Sequence, residues 1–441
     1  MNRAATARHS ESAGPTAVAQ TPDYAGRGHA LRLLVLIGAI YAVDKISIAV
    51  VIEPIGREFG LGDAQRALLS GMAYGIAFAV SSIPIGMLID RFPRKHVLAA
   101  LLTVWSSFTV ICGLAVSYPM LLASRLLVGG AESGALPASM SLVADLAPPS
   151  RRASIVALLY AGTGVGASLA ALGGAALAQH FGWRASFFMA GVPGLILAIV
   201  FAATVREPQR GSLDTVLRTR SATRLSFTAR YFISQPVLIH TFIAATCSAT
   251  AVAAMNSWCV AFFIRLHHVT LSLAGLIFAS AIGPGVIVGS LMGGVIGDCL
   301  SRRTPAGRIW FAAATAAAGV PMAWFGLTVP GLAASAAGVG GLTVLASVFF
   351  APAAATVVNF TLPEMRGVVL SAKEILANLI GLGTGPLFAG GLSDLYGGAE
   401  SLRPALLTVV TVCLLISALN FCLAARSIRH RPVDHSVLRW R

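Results

Sequence analysis

Charge is what this chain lacks. Only 11% of its 441 residues are Asp, Glu, Lys or Arg and 56% are hydrophobic, whereas about a quarter of a soluble domain is charged. A water-facing globular surface is thereby excluded, and the chain belongs in lipid. Acidic residues are the scarcer sign, 17 against 32 Lys and Arg, leaving a formal charge of +15. The arginines sit in short loops and form no patch interleaved with aromatics, so nucleic acid is not an expected partner. Cys112, Cys247, Cys259, Cys299, Cys413 and Cys422 have neither close pairing nor metal-ligand spacing and read as small core residues. There is no His/Glu metal motif and no nucleophile elbow; His267 and His268 stand together in a loop beside Arg265. Neither an enzyme nor a bound cofactor or metal is expected. Residues 1–30 contain Arg3 and Arg8 but no apolar centre, which reads as a disordered cytoplasmic tail and not as a cleavable signal peptide.

What the chain has is long apolar runs. They lie at about 31–52, 67–89, 97–115, 120–143, 154–178 and 185–205, then 237–263, 270–297, 309–328, 333–358, 367–392 and 404–425. Each is near the ~20 residues that a helix needs to cross a hydrocarbon core. The expected fold is an all-α membrane protein of twelve transmembrane helices in two six-helix halves, 31–205 and 237–425. A linker, 206–236, joins them, and a tail, 426–441, follows. With both tails inside, only Arg57, Arg66, Arg184, Arg265 and Arg403 fall in outer segments, Lys45, Arg125 and Lys373 fall within spans, and Arg32 at the start of the first run counts with the N-terminal tail. Every other Lys and Arg is cytoplasmic, the positive-inside pattern of an inner-membrane protein. Within the linker, Leu213, Val216, Leu217 and Leu225 alternate with arginines, either as an amphipathic surface helix or as a flexible basic connector.

The two halves echo each other. Gly86-Met-Leu-Ile-Asp90-Arg91-Phe-Pro93-Arg94-Lys95 ends the second run, and Gly294-Val-Ile-Gly-Asp298-Cys-Leu-Ser-Arg302-Arg303 ends the eighth. Gly, Asp and Arg recur at the same spacing in both. Runs five and eleven each carry a glycine series, Gly162/Gly164/Gly166 and Gly381/Gly383/Gly385, suited either to close packing or to bending where the halves meet.

Charges inside spans are costly in lipid and normally face a partner or a wet cavity. Asp44 and Lys45 lie mid-span, and as helix neighbours they point about 100° apart, so they cannot share one partner. Arg125 and Glu132, seven apart, lie on nearly the same face of the fourth run. A carboxylate in the glycine-rich Val128–Gly134 stretch makes Glu132 the leading proton carrier, and Asp44 is the second carboxylate expected to exchange protons. Arg125, Lys45 and Tyr41 are the candidate substrate contacts. Asp90, Arg91, Arg94, Asp298, Arg302, Lys373 and Glu374 are candidate gate residues.

These residues resemble the major facilitator superfamily. Gly86-x-x-x-Asp90-Arg91-x-x-Arg94-Lys95 is similar to the signature between its second and third helices, with Pro93 where the family has glycine. Val43-Asp44-Lys45-Ile46, Glu53-Pro54-Ile55, the string Ser124 to Gly134, Gln179-His-Phe-Gly-Trp-Arg184 and Arg206-Glu207-Pro208 resemble its spinster-like branch. That branch usually has Arg after the first-span Asp; Lys45 keeps the charge and loses the bidentate fork. The resemblance implies proton-coupled transport by alternating access, with the Asp of the turn stabilising the outward-facing state through a contact across the halves. It also implies an anionic or amphiphilic small-molecule substrate and a monomer in the bilayer. Organic-anion uptake, export of hydrophobic compounds, and a receptor or scaffold on the same fold are the alternatives.

Overall fold

The computed structural model describes residues 26–148, 151–209, 225–361, 365, 369, 372, 373, 375–398 and 400–430. Lipid offers no partner to a backbone N–H or C=O, so each apolar run closes its own hydrogen bonds as a helix. Among the described residues, eleven helices are long and apolar enough to cross a membrane. In the first half these are α1 (Arg27–Phe59), α2 (Asp63–Arg91), α3 (Arg94–Gly113), α4 (Tyr118–Leu146), α5 (Ser154–Phe181) and α6 (Arg184–Thr204). A short α7 (Leu225–Ser234) precedes the second half. There follow α8 (Pro236–Leu266), α9 (Leu271–Arg303), α10 (Gly307–Thr328) and α11 (Leu332–Phe360). Helix α12 (377–396) and α13 (Leu402–Ile428) complete twelve spans in two six-helix halves.

Several helices outrun their apolar runs. Helix α1 continues through Pro54 to Phe59, and α9 carries its last turn to Arg302 and Arg303, because basic side chains suit a helix C-terminus. Helices α1 and α8, the first span of each half, are the most enclosed. Of the linker residues that read either as a surface helix or as a flexible connector, Leu213, Val216 and Leu217 lie outside the described residues, and Leu225 opens α7. Helix α7 is tied to the second half by the Tyr231 hydroxyl, which donates to the Phe360 carbonyl at 2.9 Å.

The two glycine series divide their work in the same way. Gly162 and Gly166 press α5 onto α1, and a Cβ on Gly166 would lie 2.1 Å from the Ala39 carbonyl oxygen. Gly381 and Gly385 press α12 onto α8, with a Cβ on Gly385 only 2.4 Å from the Thr250 carbonyl oxygen. The middle glycine of each series instead faces the opposite half, Gly164 toward Ile287 and Gly383 toward Met72. Close packing therefore accounts for the outer members, and contact between halves for the middle ones. Gly166→Ala is expected to cost about 1–3 kcal/mol through overpacking against backbone. Gly164→Ala, whose Cβ would meet only Ile287 at 3.4 Å, is expected to cost much less. Thermal unfolding of the two variants in detergent checks the ranking.

Candidate functional site

Four helices of the first half bury a charged cluster near mid-span. Asp44 on α1 is 1% exposed, and Arg125 on α4 is completely buried. The Asp44 carboxylate accepts from the Thr109 hydroxyl of α3 at 2.5 Å and from the Arg125 guanidinium at 3.3 Å. Glu132, two turns along α4, is equally buried and faces both Asp44 and Arg125. Its Oε2 accepts from the Tyr74 hydroxyl of α2 at 2.7 Å, while Oε1 has no protein partner.

Local sequence explains this placement. A Cβ on Gly129 would lie 2.7 Å from the Tyr74 carbonyl oxygen, so only glycine there lets α4 approach the backbone of α2 closely enough for the Tyr74 hydroxyl to reach Glu132. Immediately after Glu132 the helix is interrupted by a turn at Ser133–Gly134, and it resumes at Ala135. Interrupted helices at bilayer depth are where transporters place binding groups, because the freed backbone must face protein or a cavity.

Asp44 and Lys45 diverge as helix geometry requires. Asp44 turns inward to Arg125, whereas the half-buried Lys45 donates to the Tyr41 hydroxyl at 3.3 Å. The Lys45 ammonium also lies 5.5 Å from the Tyr41 ring centroid and 5.6 Å from that of Tyr74, within cation–π range. The Arg125 guanidinium stands 5.6 Å from the same Tyr74 ring. Asp44, Lys45, Arg125, Glu132, Tyr41 and Tyr74 thus form one continuous polar site. It can hold a proton between carboxylates and present a cation flanked by aromatic faces.

The expected gate residues do not converge on this site. Asp90 and Arg91 are exposed where α2 ends, on the side that carries the outer ends of α1 and α13, here the terminal side. Arg94 is buried within its own half. It bonds Asp145 of α4, Glu207 at 3.0 Å and the Pro208 carbonyl at 2.9 Å, clamping the turn to the segment that follows α6. Asp298 is largely exposed and pairs with Arg308 at 3.4 Å inside the second half, and Arg302 is exposed. Lys373 is half-buried, and Glu374 lies outside the described residues.

At the opposite, far side the halves are bolted together. Arg265 of α8 bonds Glu53 of α1 at 2.8 Å and both carboxylate oxygens of Asp63 of α2 at 2.7 Å. Arg66 joins Glu53 and Asp63 from within the first half. The Ser393 hydroxyl of α12 donates to Asp63, and the Asp394 carboxylate accepts from the backbone N–H groups of Asp63 and Ala64.

Two six-helix halves, a charged mid-span cluster in one of them and a bolted far side match a known family. Its pattern, described as Major Facilitator Superfamily, covers residues 34–372. The chain belongs to this superfamily. An "MFS-type efflux pump" of Mycolicibacterium smegmatis is 25% identical over 412 residues, 92% of this chain and 94% of that one. A "Probable galactarate/D-glucarate transporter GudP" of Bacillus subtilis is 23% identical over 295 residues, 62% of this chain and 64% of that one. Among solved structures, a bacterial homologue of the human lysosomal transporter Spinster, in an inward-facing and unoccupied conformation, superposes with a TM-score of 0.85. It is 26% identical and covers 92% of this chain and 98% of its own. The chain is therefore a multi-pass membrane transporter of the superfamily's spinster-like branch.

Sequence reasoning missed the far-side residues of this superfamily member. Asp63 and Asp394 stand at helix ends and Glu53 and Arg265 just beyond the apolar runs of α1 and α8, places where charged side chains are normally solvated. The usable signal was their location: nearly all other basic charge falls on the terminal side, so charges of both signs gathered at far-side helix ends needed an explanation. Thr109 carried no signal, because a hydroxyl within a helix usually bonds its own backbone, as this one also does to Trp105.

Proposed function

We propose that this protein is a secondary active transporter that couples proton movement to passage of an anionic small molecule by alternating access. The observation that carries the reading is the charge count of the fully buried groups, where two carboxylates, Asp44 and Glu132, share the single buried guanidinium of Arg125, while the half-buried Lys45 is turned to Tyr41 and Tyr74. An unpaired buried charge is costly, so the cluster balances when one carboxylate holds a proton. In this reading Glu132 carries the proton and exchanges it with Asp44. A proton on Asp44 weakens its hold on Arg125 and frees the guanidinium for an anion. Lys45, half-buried between Tyr41 and Tyr74, meets that anion first, with the Tyr41 hydroxyl as a second contact. The names of relatives that move sugar acids support an anionic substrate.

The arginine distribution supports a cytoplasmic terminal side and an inner-membrane location. The bolted far side then corresponds to an inward-facing conformation, the one named for the solved homologue. Asp90, Arg91, Arg94, Asp298, Arg302, Lys373 and Glu374 act at the cytoplasmic gate, with Arg94 holding its turn in place. The halves span 31–205 and 237–425 about the linker 206–236, and a single chain holds the whole path.

The test is substrate-stimulated proton movement in proteoliposomes under an imposed pH gradient, with a panel of organic anions and lysophospholipids. A response to organic anions, weakened by about 1 kcal/mol in apparent affinity (roughly fivefold in half-saturation) in Lys45→Ala, is the expected result. A response confined to lysophospholipids replaces the substrate class with an amphiphile. Flux without proton movement removes the coupling.

A further inference from the structure

Besides the Arg265 bridge from α8 to Glu53 of α1, the far side has two seams, one between α2 and α12 and the other between α5 and α9, and the two are built alike. At the first, α2 begins after Gly62 with its backbone in extended form, and Asp394 near the end of α12 accepts from the N–H groups of Asp63 and Ala64, both at 2.8 Å. At the second, α9 begins after Thr270, also extended, and Gln179 near the end of α5 accepts through Oε1 from the Ser272 N–H at 2.9 Å. Each capping side chain belongs to the opposite half. Each stands three residues before a helix-ending glycine in the left-handed region, Gly397 with φ 64° and Gly182 with φ 83°. The strings Asp394-Leu-Tyr-Gly397 and Gln179-His-Phe-Gly182 are thus one device occurring twice.

The seams share two more features. Backbones touch at both, since a Cβ on Gly390 would lie 2.5 Å from the Asp63 carbonyl oxygen and one on Gly275 would lie 2.3 Å from that of Ala171. Each of the four helices also contains a single π-helical segment, at 68–72, 170–174, 278–282 and 377–382. Among the described residues, these four helices are the only ones with such a segment. A π turn leaves backbone groups in looser pairing and commonly marks a place where a helix changes shape.

We propose that Asp394 and Gln179 are paired latches that hold the far side closed by capping helix N-termini across the halves, and that the Asp394 latch is dominant. A carboxylate on a helix N-terminus forms charge-assisted bonds that the neutral amide of Gln179 does not match. The α2/α12 seam also holds Asp63, which binds Arg265 and Ser393 while its own N–H is capped, so one residue joins three helices there. The α5/α9 seam has the single amide cap, which makes it the weaker line of closure. This proposal stands independently of the substrate and of proton coupling, because it concerns only which contacts hold one end shut.

Hydrogen–deuterium exchange of the full-length protein in lipid nanodiscs tests it without added substrate. Asp394→Asn is expected to speed exchange roughly tenfold in residues 61–72, the loss of one charge-assisted cap. It is also expected to speed exchange in 262–280 across the second seam, because the whole end opens. Gln179→Ala is expected to produce a smaller rise, centred on 270–280. Faster exchange in Asp394→Asn confined to the capped amides of Asp63 and Ala64 would make the contact a local cap and overturn the latch. An equal or larger effect of Gln179→Ala would overturn the dominance of Asp394. Asp394→Glu, which keeps the charge on a longer arm, should exchange more slowly than Asp394→Asn; equal rates in the two would also count against the charged latch.

Discussion

Glu132→Gln is expected to leave a folded, membrane-inserted protein whose flux no longer follows an imposed pH gradient. The fold is kept because glutamine has the shape of the neutral acid. Its carbonyl oxygen can accept from the Tyr74 hydroxyl, which now bonds Glu132 at 2.7 Å. Its amide can donate toward Asp44 from the place where Oε1 has no protein partner. The variant therefore resembles the site with its proton permanently in place, and the Asp44–Arg125 pair stays balanced. Proton-driven accumulation should fall by at least about a hundredfold, the scale on which loss of a proton-transferring side chain acts. Exchange of substrate across the membrane without net proton movement should survive, since opening and closing need no charge to leave the cluster. Counterflow and pH-driven uptake in the same proteoliposomes separate these two quantities. If pH-driven uptake persists at the wild-type level, Glu132 is not the carrier.

Asp44→Asn provides the contrast. Asparagine at 44 removes the counter-ion of a fully buried Arg125. Glu132 becomes the only carboxylate left in the cluster and must stay ionised beside that arginine. Coupling is lost here because the proton is excluded, whereas in Glu132→Gln it is permanently mimicked.

The comparison explains which parts of this protein were legible in its sequence. Twelve spans could be counted because lipid imposes a minimum apolar length, and that length survives in one dimension. Arg125 and Glu132 could be placed on one face of α4 because helical spacing is also one-dimensional. The meeting of Asp44 with Arg125 and Thr109 could not be read, since it depends on how α1, α3 and α4 are rotated against one another. Intra-helix angles predicted that Asp44 and Lys45 diverge, and they gave no hint of which partner each would find. The Gly86–Lys95 turn shows the opposite difficulty. Its resemblance to a family signature suggests a gate, while Arg94 itself is spent on Asp145 of its own half and on Glu207 and Pro208 at the start of the linker. In sequence Glu207 is only the middle of the Arg206-Glu207-Pro208 string, although it is an anchor for this arginine. The far-side bolts were hidden because a charge at a helix end looks the same in sequence whether it meets water or a second half.

Arg125→Met is expected to destabilise the protein more than any other single change at the site. Methionine fills much of the arginine volume, so the effect is electrostatic more than steric. The change removes the only fully buried cation beside Asp44 and Glu132, since Lys45 is half-buried and turned to Tyr41, and breaking one side of a buried pair typically costs about 3–5 kcal/mol. The yield of inserted, monodisperse protein and its unfolding temperature should both drop sharply. Lysine is not expected to rescue fully, because a single ammonium replaces a planar fork that now meets Asp44 and lies against the Tyr74 ring. The informative variant is the double replacement Asp44→Asn with Arg125→Met. It removes both charges of the pair, leaves Thr109 a neutral acceptor at 44 and should recover most of the lost stability, because a buried ion pair contributes little net stability over a neutral pair of similar size. Transport should remain absent in the double variant, since the guanidinium and a member of the carboxylate pair are both gone. Recovered folding without recovered flux would separate the two properties: the Asp44–Arg125 pair is tolerated by the fold and required by the transport cycle. If Arg125→Met alone is as stable as wild type, the pair does not hold α1 to α4, and the buried charge balance on which the transport reading rests is wrong.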